Sequence, residues 1–266
     1  MVDFSAILVC PVCRSFDNGN LFVSPLKTSP VGLACPSCNA SFPVVDETPI
    51  VLPDVDTWLE SELISVVARK DLPNHVFHRL LRADTPLRRD HLRMATYNGG
   101  GRSPLHDWLD ETLVKIDLPA VDLGCGMANH SRSDILGVDL DWTMLQRYNG
   151  PKLVSDVLNP PFVAGQFKTV LLLNILDSCK QPFVLLQQAD ALLATGGRLI
   201  LSCPFSYVDH VTPPSNQIGE DFVTHFLRQR GYALTVKESN WSLKPNDRTI
   251  VNHRCLTIDA KKSICE

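Results

Sequence analysis

From Pro119 onward, apolar runs of strand length alternate with a helical stretch and glycine-marked turns, and no other feature of the 266 residues constrains the fold as much. Val121-Asp122-Leu123, Ile135 to Val138, Leu153-Val154 and Arg198 to Ser202 read as strands. Phe167 to Leu173 reads as an apolar strand of the kind buried on both faces of a parallel sheet. Gln181 to Ala194 has the pattern of an amphipathic helix, stopped by Gly196-Gly197. Strands alternating with helices imply an α/β fold with a doubly wound parallel sheet. In such sheets, ligands bind outside the C-terminal ends of the strands, where the strand order reverses.

The residues at those strand ends have a common chemistry. Ala120-Val-Asp-Leu-Gly-Cys-Gly126 is a strand running into a glycine turn, and Gly124 and Gly126 would let the backbone approach a ligand closely. Asp122 could accept from an ammonium group. The second strand ends in Val138-Asp139, where a carboxylate can meet a ribose diol, and Ser155-Asp156-Val157 follows the third, near an adenine amino group. One acid at a strand end is more often a solvated loop residue. Three on successive strands describe a nucleoside crevice.

A second signal precedes this region. Cys10-Pro-Val-Cys13 and Cys35-Pro-Ser-Cys38 are two CxxC knuckles with 21 residues between them. Each knuckle aims two thiolates at one point, and four thiolates complete a closed tetrahedral zinc site with no position open for chemistry. Residues 1–53 therefore read as a zinc ribbon, residues 54–117 as a helical bridge and residues 118–266 as the catalytic domain. In the bridge, apolar residues recur at helical spacing from Trp58 to Val67 and from Val76 to Leu81, and Ser103-Pro104 opens a helix through Trp108 and Leu113. The break at Asn98–Arg102 is expected to fold over the substrate entrance as a lid.

Two resemblances follow from these motifs. Residues 5–53 resemble the Trm112-like zinc-binding family in LVCPVC, LACPSC and FPVVDETPIVLP, which implies a module that serves methyltransferases as partner or fused part. Residues 119–203 resemble class I S-adenosylmethionine-dependent methyltransferases, from VDLGCG through GVDLDWTML and SDVLNPPF to TGGRLILS. The likeness implies a Rossmann-type methyltransferase sheet, S-adenosylmethionine as cofactor, and cofactor contacts from Asp122, Gly124, Gly126, Asp139, Leu140, Asp156, Val157 and Asn174. Two departures stand out. The third glycine is Ala128 here, and only 12 residues separate Gly126 from Asp139, too few for the usual helix and strand. The first helix must be shortened to a turn or lost.

The methyl acceptor is read from Leu173-Asn-Ile-Leu-Asp-Ser-Cys-Lys-Gln-Pro182, Ser202-Cys-Pro-Phe-Ser-Tyr-Val-Asp209 and Asn246 to His253. These resemble the animal protein-histidine N-methyltransferases (the DREV family) and the methyltransferase domain of ovothiol synthases. Both relatives methylate an imidazole nitrogen. A neutral imidazole already exposes a lone pair near pH 7, so the enzyme needs no strong base, only a fixed tautomer and a close approach. Asn174 and Asp177 are the candidate clamp, with Tyr207 and His253 closing the pocket. The alternative for Asn174 and Asp177 is a helix cap, and for Tyr207 and His253 a packed or solvated position.

Composition limits the remaining classes. The formal charge is −4, from 25 basic and 29 acidic residues, which does not suit a wholly electrostatic nucleic-acid binder. Between Arg69 and Arg102, eight basic residues stand against three acids. That keeps tRNA or rRNA methylation as an alternative, although aromatic interleaving is lacking. A non-catalytic scaffold is the other alternative, suggested by the contracted Gly126–Asp139 segment. No apolar run reaches bilayer length, no secretory signal is apparent, and nine cysteines mostly unpaired in sequence suit a reducing compartment. A soluble cytoplasmic protein is expected.

Overall fold

The computed structural model describes residues 5–17, 20–30, 32–67, 73–80, 82, 88–89, 92–93, 95–96 and 100–263. The N-terminal segment is a set of short antiparallel pairings. β1 (Ser15–Asp17) pairs with β2 (Asn20–Phe22); β3 (Lys27–Ser29), β4 (Gly32–Ala34) and β5 (Ser41–Phe42) form a small sheet; β6 (Val44–Val45) pairs with β7 (Thr48–Pro49).

Helices follow, among them α1 (Val55–Val67), α2 (Asn74–Leu80) and α3 (Pro104–Leu113), and the described residues 88–89, 92–93 and 95–96 are also helical. α3 begins where Ser103-Pro104 predicts. Proline fits the first helical position because its missing N–H has no partner there, and the Ser103 N–H donates to His106 Nδ1 at 3.1 Å. Leu105, Leu109 and Leu113, four apart, form the buried face of α3 and pack with Ala120, Leu171, Leu173 and Trp241.

The rest is a seven-stranded sheet. Its strands are β8 (Ala120–Leu123), β9 (Leu136–Asp139), β10 (Lys152–Val154), β11 (Phe167–Leu173), β12 (Leu193–Cys203), β13 (Tyr232–Asn246) and β14 (Thr249–Lys262), with α4 (Trp142–Leu145), α5 (Pro182–Leu192) and α6 (Glu220–Gln229) among them. The order is β10-β9-β8-β11-β12-β14-β13. Pairing is parallel from β10 to β12, and antiparallel between β12 and β14 and between β14 and β13. This is the doubly wound Rossmann-type α/β sheet that the sequence implies. The order reverses at β8, with β9 on one side and β11 on the other, so the switch point lies beside the glycine turn.

Two local outcomes differ from a regular βαβ pattern. No helix joins β8 to β9, as the 12-residue spacing requires. Gly196 and Gly197, expected to stop the helix, lie inside β12 instead. The β11–β12 register jumps from Phe167–Leu193 to Thr169–Arg198, and Gly196 takes φ +72°, so the glycines absorb a bulge.

The N-terminal segment is built onto the sheet. Leu8, Leu26, Leu33, Phe42 and Val51 share one buried cluster with Leu123, Leu153, Val157 and Phe162. Val9 N–H donates to the Pro161 carbonyl and Val51 N–H to that of Val154, both at 2.9 Å, so the segment covers the β10 edge. Arg14 reaches Asn159 Oδ1 at 3.1 Å and Gln188 Oε1 at 2.9 Å. Among the described residues, no helix is long and apolar enough to cross a membrane.

The expected lid at Asn98–Arg102 falls partly outside the described residues, since Asn98 and Gly99 are not among them. Gly100 lies against the β13 backbone, and a Cβ there would overlap the Ser242 carbonyl. Arg102 pairs with Asp107 at 2.7 Å and Asp110 at 2.6 Å. Gly100→Ala must push this segment off β13. We expect a destabilisation of about 1–3 kcal/mol, the usual cost of overpacking. Thermal melting checks this, and an unchanged midpoint would contradict the packing.

Candidate cofactor cavity and cysteine cluster

A cavity of about 540 Å³ opens at the C-terminal ends of β8, β9, β10 and β11. Gly124 and Gly126 form its floor at φ +75° and +52°, conformations that most side chains resist. At Gly124 a side chain would also strike Ile175, so that glycine is needed for protein packing as well as for any ligand. Asp139 and Leu140 line the cavity after β9, Asp156 and Val157 after β10, and Asn174 after β11. The structure thus gathers seven of the eight expected cofactor residues.

The acids differ in their surroundings. Asp139 Oδ2 accepts from the Gly126 N–H at 2.7 Å and Oδ1 from the Asp141 N–H at 2.9 Å. Burial pushes its carboxyl up to about 6, although both N–H groups favour the ionised form. Asp156 Oδ1 accepts from the Leu158 N–H at 2.8 Å, which fixes the turn after β10. Asp122 is the eighth residue, expected at an ammonium group, and it does not line the cavity. It is 1% exposed and lies beneath the turn, off the cavity wall. Its Oδ2 is 3.3 Å from His130 Nε2, and its Oδ1 has no partner among the described residues.

Of the four candidate catalytic residues, only Asn174 reaches the cavity. It sits at φ +56°, a left-handed conformation that asparagine tolerates. Its N–H donates to the Ser202 carbonyl and its Oδ1 accepts from Ser202 Oγ, both at 2.8 Å, while the buried Nδ2 has no partner. Asp177 is behind the wall, 5% exposed, with Oδ2 accepting from the Ser206 N–H at 2.8 Å; burial raises its pKa. Neither residue caps a helix, since Ile175 and Gln181 occupy those positions. The Tyr207 hydroxyl donates to the Ile218 carbonyl at 2.8 Å and accepts its N–H at 3.2 Å, so it ties the loop after β12 and does not enter the cavity. His253 on β14 faces Trp241 on β13, with ring centroids 5.8 Å apart, and it is Trp241 that reaches the cavity.

Sequence reading missed Trp241, Lys180, His210 and Arg93 on the wall. Trp241 reaches it because the β13–β14 hairpin runs past the C-terminal end of β12, which no local pattern announces. Arg93 belongs to the basic stretch but pairs with Asp141 at 2.9 Å, at the cavity rim. Arg69, Lys70, Asp71, Asp84, Asp90 and His91 of that stretch lie outside the described residues.

The four knuckle cysteines converge, with all four Sγ atoms within 4.8 Å of one another. Cys10 and Cys38 are 3.7 Å apart, as are Cys13 and Cys35. A tetrahedron with zinc–sulfur bonds of about 2.3 Å has edges of about 3.8 Å, so the set has the size for that metal. Ser24 Oγ lies 3.2 Å from Cys35 Sγ and 2.8 Å from Ser37 Oγ, polar contacts that fix the Cys35 side chain.

A doubly wound sheet that brings Asp139, Asp156 and Asn174 to one cavity at its switch point has the arrangement in which open α/β sheets bind their ligands. Residues 121–201 match the family model described as "Methyltransferase domain", and the protein is an S-adenosylmethionine-dependent methyltransferase. No curated protein matches the chain in sequence. Solved structures are similar at low identity. One, concerned with conversion of a disulfide bond into a thioacetal group during echinomycin biosynthesis, has a TM-score of 0.48 and 13% identity, covering 64% of this chain and 85% of its own. A Thermotoga maritima S-adenosylmethionine-dependent methyltransferase, described as a "possible histamine N-methyltransferase", has 0.45 and 15%, covering 71% and 99%. A chain from the complex of the Haloferax volcanii Trm112 methyltransferase activator with a methyltransferase has 0.42 and 15%, covering 60% and 90%.

Proposed function

We propose that this methyltransferase modifies an imidazole nitrogen of histidine, a histidine derivative or a peptidyl histidine, and that its four N-terminal cysteines hold a structural zinc. The division into a ribbon (1–53), a helical bridge (54–117) and a catalytic domain (118–266) belongs to the same reading. Asp139 would hold the ribose hydroxyls of S-adenosylmethionine, and Asp156 with Val157 the adenine. When bound, the cofactor supplies an electrophilic methyl group on sulfur.

The observation that carries the acceptor reading is Asn174. A buried amide nitrogen without a partner is costly unless a ligand satisfies it, and this one stands on the cavity wall after β11. Ser202 Oγ can donate or accept, so it supports the Asn174 amide in either orientation. With the amide turned end for end, Nδ2 donates to Ser202 Oγ and Oδ1 faces the cavity, where it accepts the N–H of a neutral imidazole and holds that tautomer, which leaves the other nitrogen's lone pair free for the methyl group. Asp177, on the same turn, contributes negative charge from behind the wall and stabilises the imidazolium product. Trp241 gives a flat apolar surface beside which a ring can settle.

Mass spectrometry with labelled S-adenosylmethionine tests this, offering histidine, thiol-histidines and histidine-containing peptides beside tRNA. One methyl should appear on an imidazole, and Asn174→Ala should lower its rate about 100-fold through lost positioning. Label in RNA and none on any imidazole would overturn the acceptor assignment. No binding of S-adenosylhomocysteine would overturn the cofactor reading.

A further inference from the structure

The contracted connection between β8 and β9 leaves the glycine turn without the helix that normally stands behind it. In its place, residues 124–135 fold back on themselves. Gly124 and Cys125 N–H both donate to the Val138 carbonyl, at 2.8 and 3.1 Å, and Ala128 N–H donates to the Cys125 carbonyl at 2.8 Å. Arg132 grips Asp134 through two contacts of 2.7 and 2.6 Å, and its Nη1 donates to the Leu113 carbonyl at the end of α3 at 2.6 Å.

His130 is at the centre of this fold-back. Its side chain is fully buried and its ring meets Tyr148 edge-on, with centroids 5.8 Å apart. Nδ1 accepts from the Arg132 N–H at 3.2 Å, so that nitrogen carries no proton. The proton is therefore on Nε2, 3.3 Å from Asp122 Oδ2. Asp122 is the last buried polar residue before Gly124, and none of its other contacts replaces this one: Oδ1 has no partner among the described residues.

We infer that His130 is a positioning residue for the cofactor turn, holding Asp122 beneath Gly124–Gly126 in place of the missing helix. The inference rests on the reading of the cavity as a S-adenosylmethionine site. His130 does not line the cavity, so its effect on a ligand passes through the Asp122 carboxylate and the turn above it. The two ring nitrogens have separate tasks. Nδ1 shapes the loop through Arg132, and Nε2 holds Asp122.

Two substitutions separate these tasks. His130→Gln can place an amide N–H near the position of Nε2 and keep the bond to Asp122. His130→Asn can place an oxygen near Nδ1 and keep the loop contact, but cannot reach Asp122. Calorimetric binding of S-adenosylhomocysteine is measured on each, with a thermal melt without ligand. The expected result is wild-type binding within about threefold for Gln and a loss of about 10- to 100-fold for Asn, the range for a charge-assisted hydrogen bond. The Asn variant should keep most of its melting temperature. Wild-type binding by a folded Asn variant would overturn the inference, as would equal losses in both variants that follow their melting temperatures. If Gln fails to fold, the Asn result decides alone. Failure of the wild-type protein to bind would overturn the cofactor reading, a different outcome from any of these.

Discussion

Asp139→Asn should weaken S-adenosylhomocysteine binding about 100-fold at pH 7.5. The Asp139 carboxylate accepts two backbone N–H groups, from Gly126 and Asp141. An asparagine offers only one oxygen, so its amide group would confront one of those donors and leave it unsatisfied. Each such charge-assisted bond contributes about 1.5–3 kcal/mol, and the loss also loosens the turn on which the ligand rests. The same residue gives a pH dependence. Its carboxyl titrates at about 6, and the ionised form is the better acceptor for ribose hydroxyls. Affinity should therefore hold from pH 8 to about 6.5 and fall as pH drops through 6. Isothermal titration at pH 7.5, 6.0 and 5.0 checks the sign. Constant affinity over that range would remove Asp139 from the ribose site.

Removal of the proposed zinc should have the larger effect on stability. The protein as purified should hold one zinc per chain by elemental analysis, and Cys35→Ser should hold much less. Structural zinc contributes about 10–16 kcal/mol in small modules. A third of that, spread over a chain of this length, corresponds to a melting temperature lower by about 10 °C. The loss should not stay local, because Leu33, Phe42 and Val51 share a core with Leu153 and Phe162 of the sheet. Val51 also holds the Val154 carbonyl, two residues before Asp156, so cofactor affinity should fall with the metal. Melting and binding unaffected by zinc removal would show that the cysteines hold nothing the fold needs.

The strand-and-helix alternation was legible because each strand of the parallel region is buried on both faces, which leaves a nearly unbroken apolar signature from Val170 to Leu173. The cysteine cluster was legible because chelation needs short, regular spacing. The polar strand ends at Asp139 and Asp156 were legible for a similar reason: each follows its strand directly, and the sheet delivers it to the cavity.

Other positions depended on distant partners. Asp122, Asp177 and Tyr207 have the residue types of a site, yet their polar groups meet His130, Ser206 and Ile218, eight, 29 and 11 residues away. Trp241 comes to the cavity from a hairpin whose only local signature is two long strands. The sequence by itself determined the sheet, the cysteine knuckles and the crevice at the switch point, since these arise from periodicity and spacing between neighbours along the chain. Only the tertiary structure decided which polar groups face the cavity and which are spent holding it open, because a buried donor or acceptor takes whichever partner the packed loops bring within about 3 Å.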